Sequence, residues 1–120
     1  MKIGRKISGG KYHARRKKRL HEHAGQPRTV KLGAEKRKVM KVRGGNKKTV
    51  LLMSDVANVR DKTGKTKKVK ITNVAETPSN RFLSRQNILV KSAIIETELG
   101  KARITNRPSQ EGNVQAVLVE

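Results

Sequence analysis

Eighteen of the thirty Lys and Arg residues fall in the first 48 positions, where only two acids, Glu22 and Glu35, oppose them. No other feature constrains the fold as strongly. Cations at that density repel one another, and residues 1–38 lack the apolar faces from which a core is built. Gly4, Gly9, Gly10, Gly25, Pro27 and Gly33 punctuate the segment and rule out a long helix. Residues 13–23 allow a short helix, but its apolar face is little more than Ala14 and Leu20. Residues 1–38 are therefore expected to form a largely extended basic arm, irregular when free and ordered on binding a polyanion. Residues 49–120 carry twelve cations and seven acids, a balance compatible with packing. A small folded domain is expected over residues 39–120.

The net charge of +21 and pI near 11.3 point to a polyanionic partner. With no cysteine, there is no disulfide framework, thiolate metal site or cysteine nucleophile, which fits a reducing compartment. No apolar stretch follows Met1 as a secretory signal requires, and no run reaches the roughly 18 apolar residues of a membrane span. Tyr12 and Phe82 are the chain's two aromatics. Readers of single strands stack bases on aromatic platforms, so contacts here are expected mainly on phosphates, sugars and the shape of a folded nucleic acid. His13, His21 and His23 suggest a metal site, but the surrounding cations disfavour a dication, and no metal or other cofactor is expected.

The arm meets the domain at Lys41-Val42-Arg43-Gly44-Gly45-Asn46-Lys47-Lys48. Two glycines and an asparagine permit positive φ and close approach to another molecule, and four flanking cations make that molecule an anion. Charge and glycine placement together nominate the binding residues. Along the arm these are Arg5, Lys6, Gly9, Gly10, Lys11, Arg15, Arg16, Lys17, Lys18, Arg19, Arg28, Lys31 and Arg37. At the joint they are Lys41, Arg43, Gly44, Gly45, Asn46, Lys47 and Lys48. Arg15-Arg16-Lys17-Lys18-Arg19 also reads as a nuclear-targeting string, and the arm as a solubilising tail.

Beyond the joint, short β-branched runs alternate with turn signals. Asp61-Lys62-Thr63-Gly64 marks a hairpin loop, and residues 67–74 alternate through Val69 and Ile71 until Val74 breaks the period, as at a bulge. Thr77-Pro78-Ser79-Asn80 is a turn suited to cap a brief helical turn through Phe82 and Leu83. Residues 88–99 form the most apolar run and are expected to be the central strand. A tight turn at Leu99-Gly100-Lys101 leads to a strand with Ala102 and Ile104 inward, and residues 114–119 supply the last strand. The expected fold is all-β, a small closed or partly open barrel of about six short strands. Its core is thin, so stability is expected to depend partly on the bound partner.

Gly64-Lys65-Thr66 mimics the end of a P-loop, but Val59 stands where the leading glycine is required. Glu96 and Glu98 are spaced as a carboxylate pair without a nearby histidine or nucleophile. No catalytic constellation emerges, and neither an enzyme nor a small-molecule substrate is expected.

Several blocks carry a specific resemblance. They are Gly4-Arg5-Lys6 with Gly9-Gly10, Arg16-Lys17-Lys18-Arg19, Thr29-Val30-Lys31-Leu32-Gly33 and Val42-Arg43-Gly44-Gly45-Asn46. Pro78-Ser79-Asn80, Leu89-Val90-Lys91 and Ile94-Ile95-Glu96-Thr97 extend it along nearly the whole chain. In these the sequence resembles the small-subunit ribosomal protein "S-eight-e" family of archaea and eukaryotes, at archaeal length. Ser92 stands where that family carries glycine, at a position expected to be strand. The resemblance implies a β-barrel body with a basic extension on small-subunit ribosomal RNA, and neighbouring ribosomal proteins as partners. It also implies a place in the cytoplasm within the small ribosomal subunit. Arg5, Lys6, Arg16, Lys17, Lys18, Arg19 and residues 43–46 are the RNA-contacting positions that it implies. Two readings compete: a chromatin-like protein binding DNA without sequence preference, and a cationic membrane-active module, for which the arm lacks a wide apolar helix face.

Overall fold

A computed structural model describes residues 4–13 and 15–119. Every described residue between positions 4 and 27 is exposed. That segment holds an isolated antiparallel bridge between Arg5 and Lys11 and a single 3₁₀ turn at Leu20–Glu22. Of the short helix that residues 13–23 allow, one turn is present. Ala14 lies outside the described residues, and Leu20 is 91% exposed, so no packed apolar face offsets the cost of nucleating a helix.

Regular structure begins with β1 (Lys31–Leu32), β2 (Lys36–Lys41) and β3 (Lys47–Ser54), which form a three-stranded sheet in the order β1-β3-β2. β1 runs parallel to β3, and β2 antiparallel to it. β2 spans residue 38 and is exposed except for the half-buried Met40, whereas β3 buries Val50, Leu51 and Ser54.

The remaining strands, β4 (Val56–Arg60), β5 (Thr66–Glu76), β6 (Ile94–Thr97), β7 (Gly100–Ile104) and β8 (Gln115–Leu118), close into a barrel. Four antiparallel steps bring the fifth strand back in the direction of the first. β8 therefore closes on β4 as a parallel pair, with Val59 opposite Ala116. The structure is all-β apart from its short helical turns. It divides the expected six-strand barrel into five barrel strands and a separate sheet.

Local chemistry explains most of the strand boundaries. The Asp61 N–H donates to the Lys65 carbonyl at 2.8 Å, closing the β4–β5 hairpin as the Asp-Lys-Thr-Gly signal predicts. In β5, Val69, Ile71 and Val74 are buried, and the register shifts between Ile71 and Asn73 and again between Val74 and Glu76. The broken alternation is thus a bulge. β6 and β7 are joined through Glu98 and Leu99, with Thr97 opposite Gly100. Helix α1 (Arg81–Arg85) starts at Asn80, whose side-chain oxygen accepts the Phe82 N–H at 3.0 Å.

One expectation fails. Residues 88–99 are not a continuous strand, since β6 covers only Ile94–Thr97. Ile88, Leu89 and Ala93 are buried, but on an irregular segment where Asn87 and Ser92 take φ of 52° and 69°. Apolarity there reports burial, and the segment's polar backbone is satisfied from elsewhere. The Leu89 N–H donates to the Val30 carbonyl at 2.8 Å, and the Leu32 N–H to the Asn87 carbonyl at 2.9 Å. These bonds fasten β1 to the barrel. Leu51 of β3 is fastened too, through its N–H to the carbonyls of Pro108 and Glu111 at 3.2 Å each. Val30 and Leu51 join the barrel's Val59, Ile71, Ile95 and Ile104 in one core built entirely of aliphatic side chains.

Candidate nucleic-acid interface

The β2–β3 hairpin projects the joint. Its tip, Arg43–Gly45, is closed by the Val42 N–H donating to the Asn46 carbonyl at 2.8 Å. Gly44 and Gly45 both take φ of 78°, a conformation that costs other residues about 1–2 kcal/mol each. A Cβ at Gly45 would meet nothing within 4 Å, and at Gly44 only the Asn46 Nδ2 at 3.9 Å. Backbone conformation alone therefore requires glycine, and the tip stands open to another molecule. Directly behind it, Lys41 lies opposite Lys47, both exposed. Like charges directly opposite destabilise a ladder, so this pair favours an intervening anion. Arg43 is exposed at the tip, while the half-buried Lys48 donates to Gln110 Oε1 at 2.6 Å, tying the hairpin to the loop before β8.

The N-terminal cations divide into committed and available groups. Residues 5–11 make a miniature hairpin, with Lys6 N–H to Gly10 carbonyl at 2.9 Å, Gly9 N–H to Lys6 carbonyl at 2.9 Å, and Gly9 at φ 82°. The Arg5 guanidinium donates to the Gly9 carbonyl at 3.0 Å, and Lys6 Nζ sits 5.7 Å from the centre of the Tyr12 ring. Arg16 forms a two-pronged pair with Glu22 at 2.9 and 2.5 Å, and Glu22 also accepts the Arg19 N–H at 2.9 Å. The Arg16 guanidinium, with help from that N–H, holds the Glu22 carboxyl below its ordinary range, and Glu22 in turn raises Arg16. Arg15, Arg16, Lys18 and Glu22 line an open hollow of about 480 Å³. Arg15 and Lys17 are exposed and make no side-chain bond among the described residues.

Three further nominees sit on or beside the sheet. Arg28 is half-buried, its guanidinium 3.0 Å from Met40 Sδ and its Nε enclosed without an acceptor. Arg37 pairs with Glu35, and Lys31 is exposed on β1. The sequence reading passed over the outward face of β5, where exposed Lys68 and Lys70 alternate with buried Val69 and Ile71. The alternation that located the strand also carried that signal. It equally passed over the surroundings of both aromatics. Glu96 lies opposite Lys101 in the β6–β7 ladder, and the described residues hold no His/Asp/Glu cluster able to take a metal ion.

Residues 1–119 match the family described as Ribosomal protein S8e. The chain is 51% identical over 120 residues to a protein of Methanocella arvoryzae named small ribosomal subunit protein eS8, covering 98% of this chain and 95% of that one. It is 48% identical over 117 residues to the protein of the same name from Methanocorpusculum labreanum, covering 97% and 94%. The corresponding protein of Methanospirillum hungatei is 45% identical over 117 residues, again covering 97% and 94%.

Proposed function

The chain belongs to the ribosomal protein S8e family, and on that premise we propose that it helps to build the small ribosomal subunit by holding folded small-subunit ribosomal RNA through phosphate contacts. The family's role is structural rather than enzymatic. The reading makes the protein a cytoplasmic component of that subunit, with neighbouring ribosomal proteins around it. The observation that carries it is the β2–β3 hairpin, where Lys41 faces Lys47 behind an uncrowded double-glycine tip. An anion relieves the repulsion there, and the glycines let backbone approach a phosphate closely. The exposed cations near the N-terminus extend the same contact along the nucleic acid.

Salt dependence tests this directly. If Lys11, Arg15, Lys17, Lys18, Lys41, Arg43 and Lys47 each engage one phosphate, log affinity should fall against log salt with slope about −6 on duplex, or about −5 on single strands. Crosslinking in lysate should map residues 5–48 to small-subunit ribosomal RNA. A slope near zero would overturn the phosphate mechanism. Equal competition by long duplex DNA would move the chromatin-like reading to first place.

A further inference from the structure

The core is entirely aliphatic, yet the chain's two aromatic side chains are both left on the surface, Phe82 at 61% and Tyr12 at 53% exposure. An aromatic ring buries more apolar area than any side chain in that core, so folding alone would favour it inside. Each ring also carries a cation: Arg85 lies 5.9 Å from the centre of Phe82, and Lys6 lies 5.7 Å from the centre of Tyr12. The same pairing occurs on two segments far apart in sequence.

Phe82 is held in place on α1. Asn80 caps the helix at the Phe82 N–H, Ser84 Oγ donates to the Arg81 carbonyl at 2.8 Å, and the Gln86 N–H donates to the Leu83 carbonyl at 3.2 Å. Leu83 and Ser84 are half-buried, while Phe82 and Arg85, three residues apart and so on one helix face, are exposed with Arg81 beside them. The helix carries no acid. An apolar protein pocket closing over Phe82 would strip water from the adjoining guanidinium without pairing it. An unpaired nucleotide satisfies both groups, offering its base to the ring and its phosphate to the arginine.

We propose that Phe82 and Tyr12 are stacking platforms for unpaired bases of the bound RNA, with Arg85 and Lys6 serving the flanking phosphates. The proposal rests on the RNA reading above and adds base stacking to the expectation of contacts mainly on phosphates, sugars and RNA shape. The interface becomes mainly phosphate-binding with two fixed points of base stacking.

The chain has no tryptophan, so Phe82→Trp installs a sole reporter where stacking is proposed. Titrating this variant with small-subunit ribosomal RNA should quench its fluorescence at undiminished affinity. Phe82→Leu should bind that RNA roughly 5- to 140-fold more weakly, with salt slope and thermal midpoint unchanged, since only a ring face is lost. Arg85→Gln should instead flatten the slope by about 0.7–0.9. Tyr12→Leu should behave as Phe82→Leu does. If Phe82→Trp saturates with RNA at the full slope without a change in fluorescence, stacking at α1 is overturned and the phosphate reading stands. A fluorescence change produced only by other ribosomal proteins would assign the ring to a protein contact and likewise overturn it. A near-zero slope for the unaltered chain would remove both readings.

Discussion

Replacing Lys41 with glutamine should move stability and RNA binding in opposite directions. Lys41 and Lys47 are register partners on exposed strand ends. Opposite residues have Cβ atoms about 4.5–5.5 Å apart, and splayed lysines place their ammonium groups about 7 Å apart. In water two unit charges at that distance repel by about 0.6 kcal/mol, and salt near 0.15 M reduces this to about 0.25 kcal/mol. The β2–β3 ladder is tied to the barrel core through Leu51, so relief at its Lys41–Lys47 pair should register in cooperative unfolding. For a body of this size, about 0.25–0.6 kcal/mol corresponds to a rise of about 1–4 °C in Tm. Scanning calorimetry of Lys41→Gln beside the unaltered chain should show that rise at low salt and lose it near 1 M salt. On small-subunit ribosomal RNA the same variant should flatten the salt slope by about 0.7–0.9. A variant less stable than the parent would refute the repulsion argument. Unchanged slope with raised stability would place Lys41 away from the RNA.

Gly44→Val combined with Gly45→Val should cost the tip about 2–4 kcal/mol of backbone strain, which opening of Arg43–Gly45 alone relieves without breaking the Lys41–Lys47 ladder pair behind it. RNA binding should weaken while calorimetry finds the barrel transition nearly unmoved; equal losses would make the glycines purely structural. Because Glu22 titrates below its ordinary range, its pair with Arg16 should be fully formed above that range and lost only as pH falls through the lowered value. Carboxylate NMR should find Glu22 titrating below the ordinary glutamate range, and Arg16→Gln should raise it toward that range, with the Arg19 N–H still holding it down. Ser92→Gly should stabilise by up to about 1 kcal/mol, since relief of left-handed strain at φ 69° outweighs the glycine's added unfolded-state entropy. A lower Tm for Ser92→Gly would show that the serine side chain supports the turn.

What could be read from the sequence divides according to how locally each feature is determined. The tip at Gly44 and Gly45, the Asp61–Gly64 loop, the Asn80 cap and the break in period at Val74 each need only a few neighbouring residues, and each is found where it was expected. The strand expected over residues 88–99 failed because distant partners set its backbone. The Ser92 N–H donates to the Ile104 carbonyl, and the Ile104 N–H donates to the Ala93 carbonyl, both at 2.9 Å. These bonds to β7 hold a turn that no local signal announced.

The same distinction governs the interface. Charge density nominated the cations but could not show which were already engaged. Arg16 is held by Glu22, Arg37 by Glu35, and Lys48 by Gln110, while Arg28 lies against Met40. Only the fold separates these from Lys41 and Lys47, which are held opposite each other with no acid of the described residues paired to either. It also shows that the aromatics excluded from the core are each positioned beside a cation. A hydrophobic residue count treats Phe82 as core-forming material, yet the capped helix presents it outward beside Arg85. On the proposed reading, the cations without an internal partner are the ones that direct so basic a chain to its partner. Repulsion between Lys41 and Lys47 is, on the same reading, a cost to the free protein that RNA binding would remove, and it would link the stability of the hairpin to RNA occupancy.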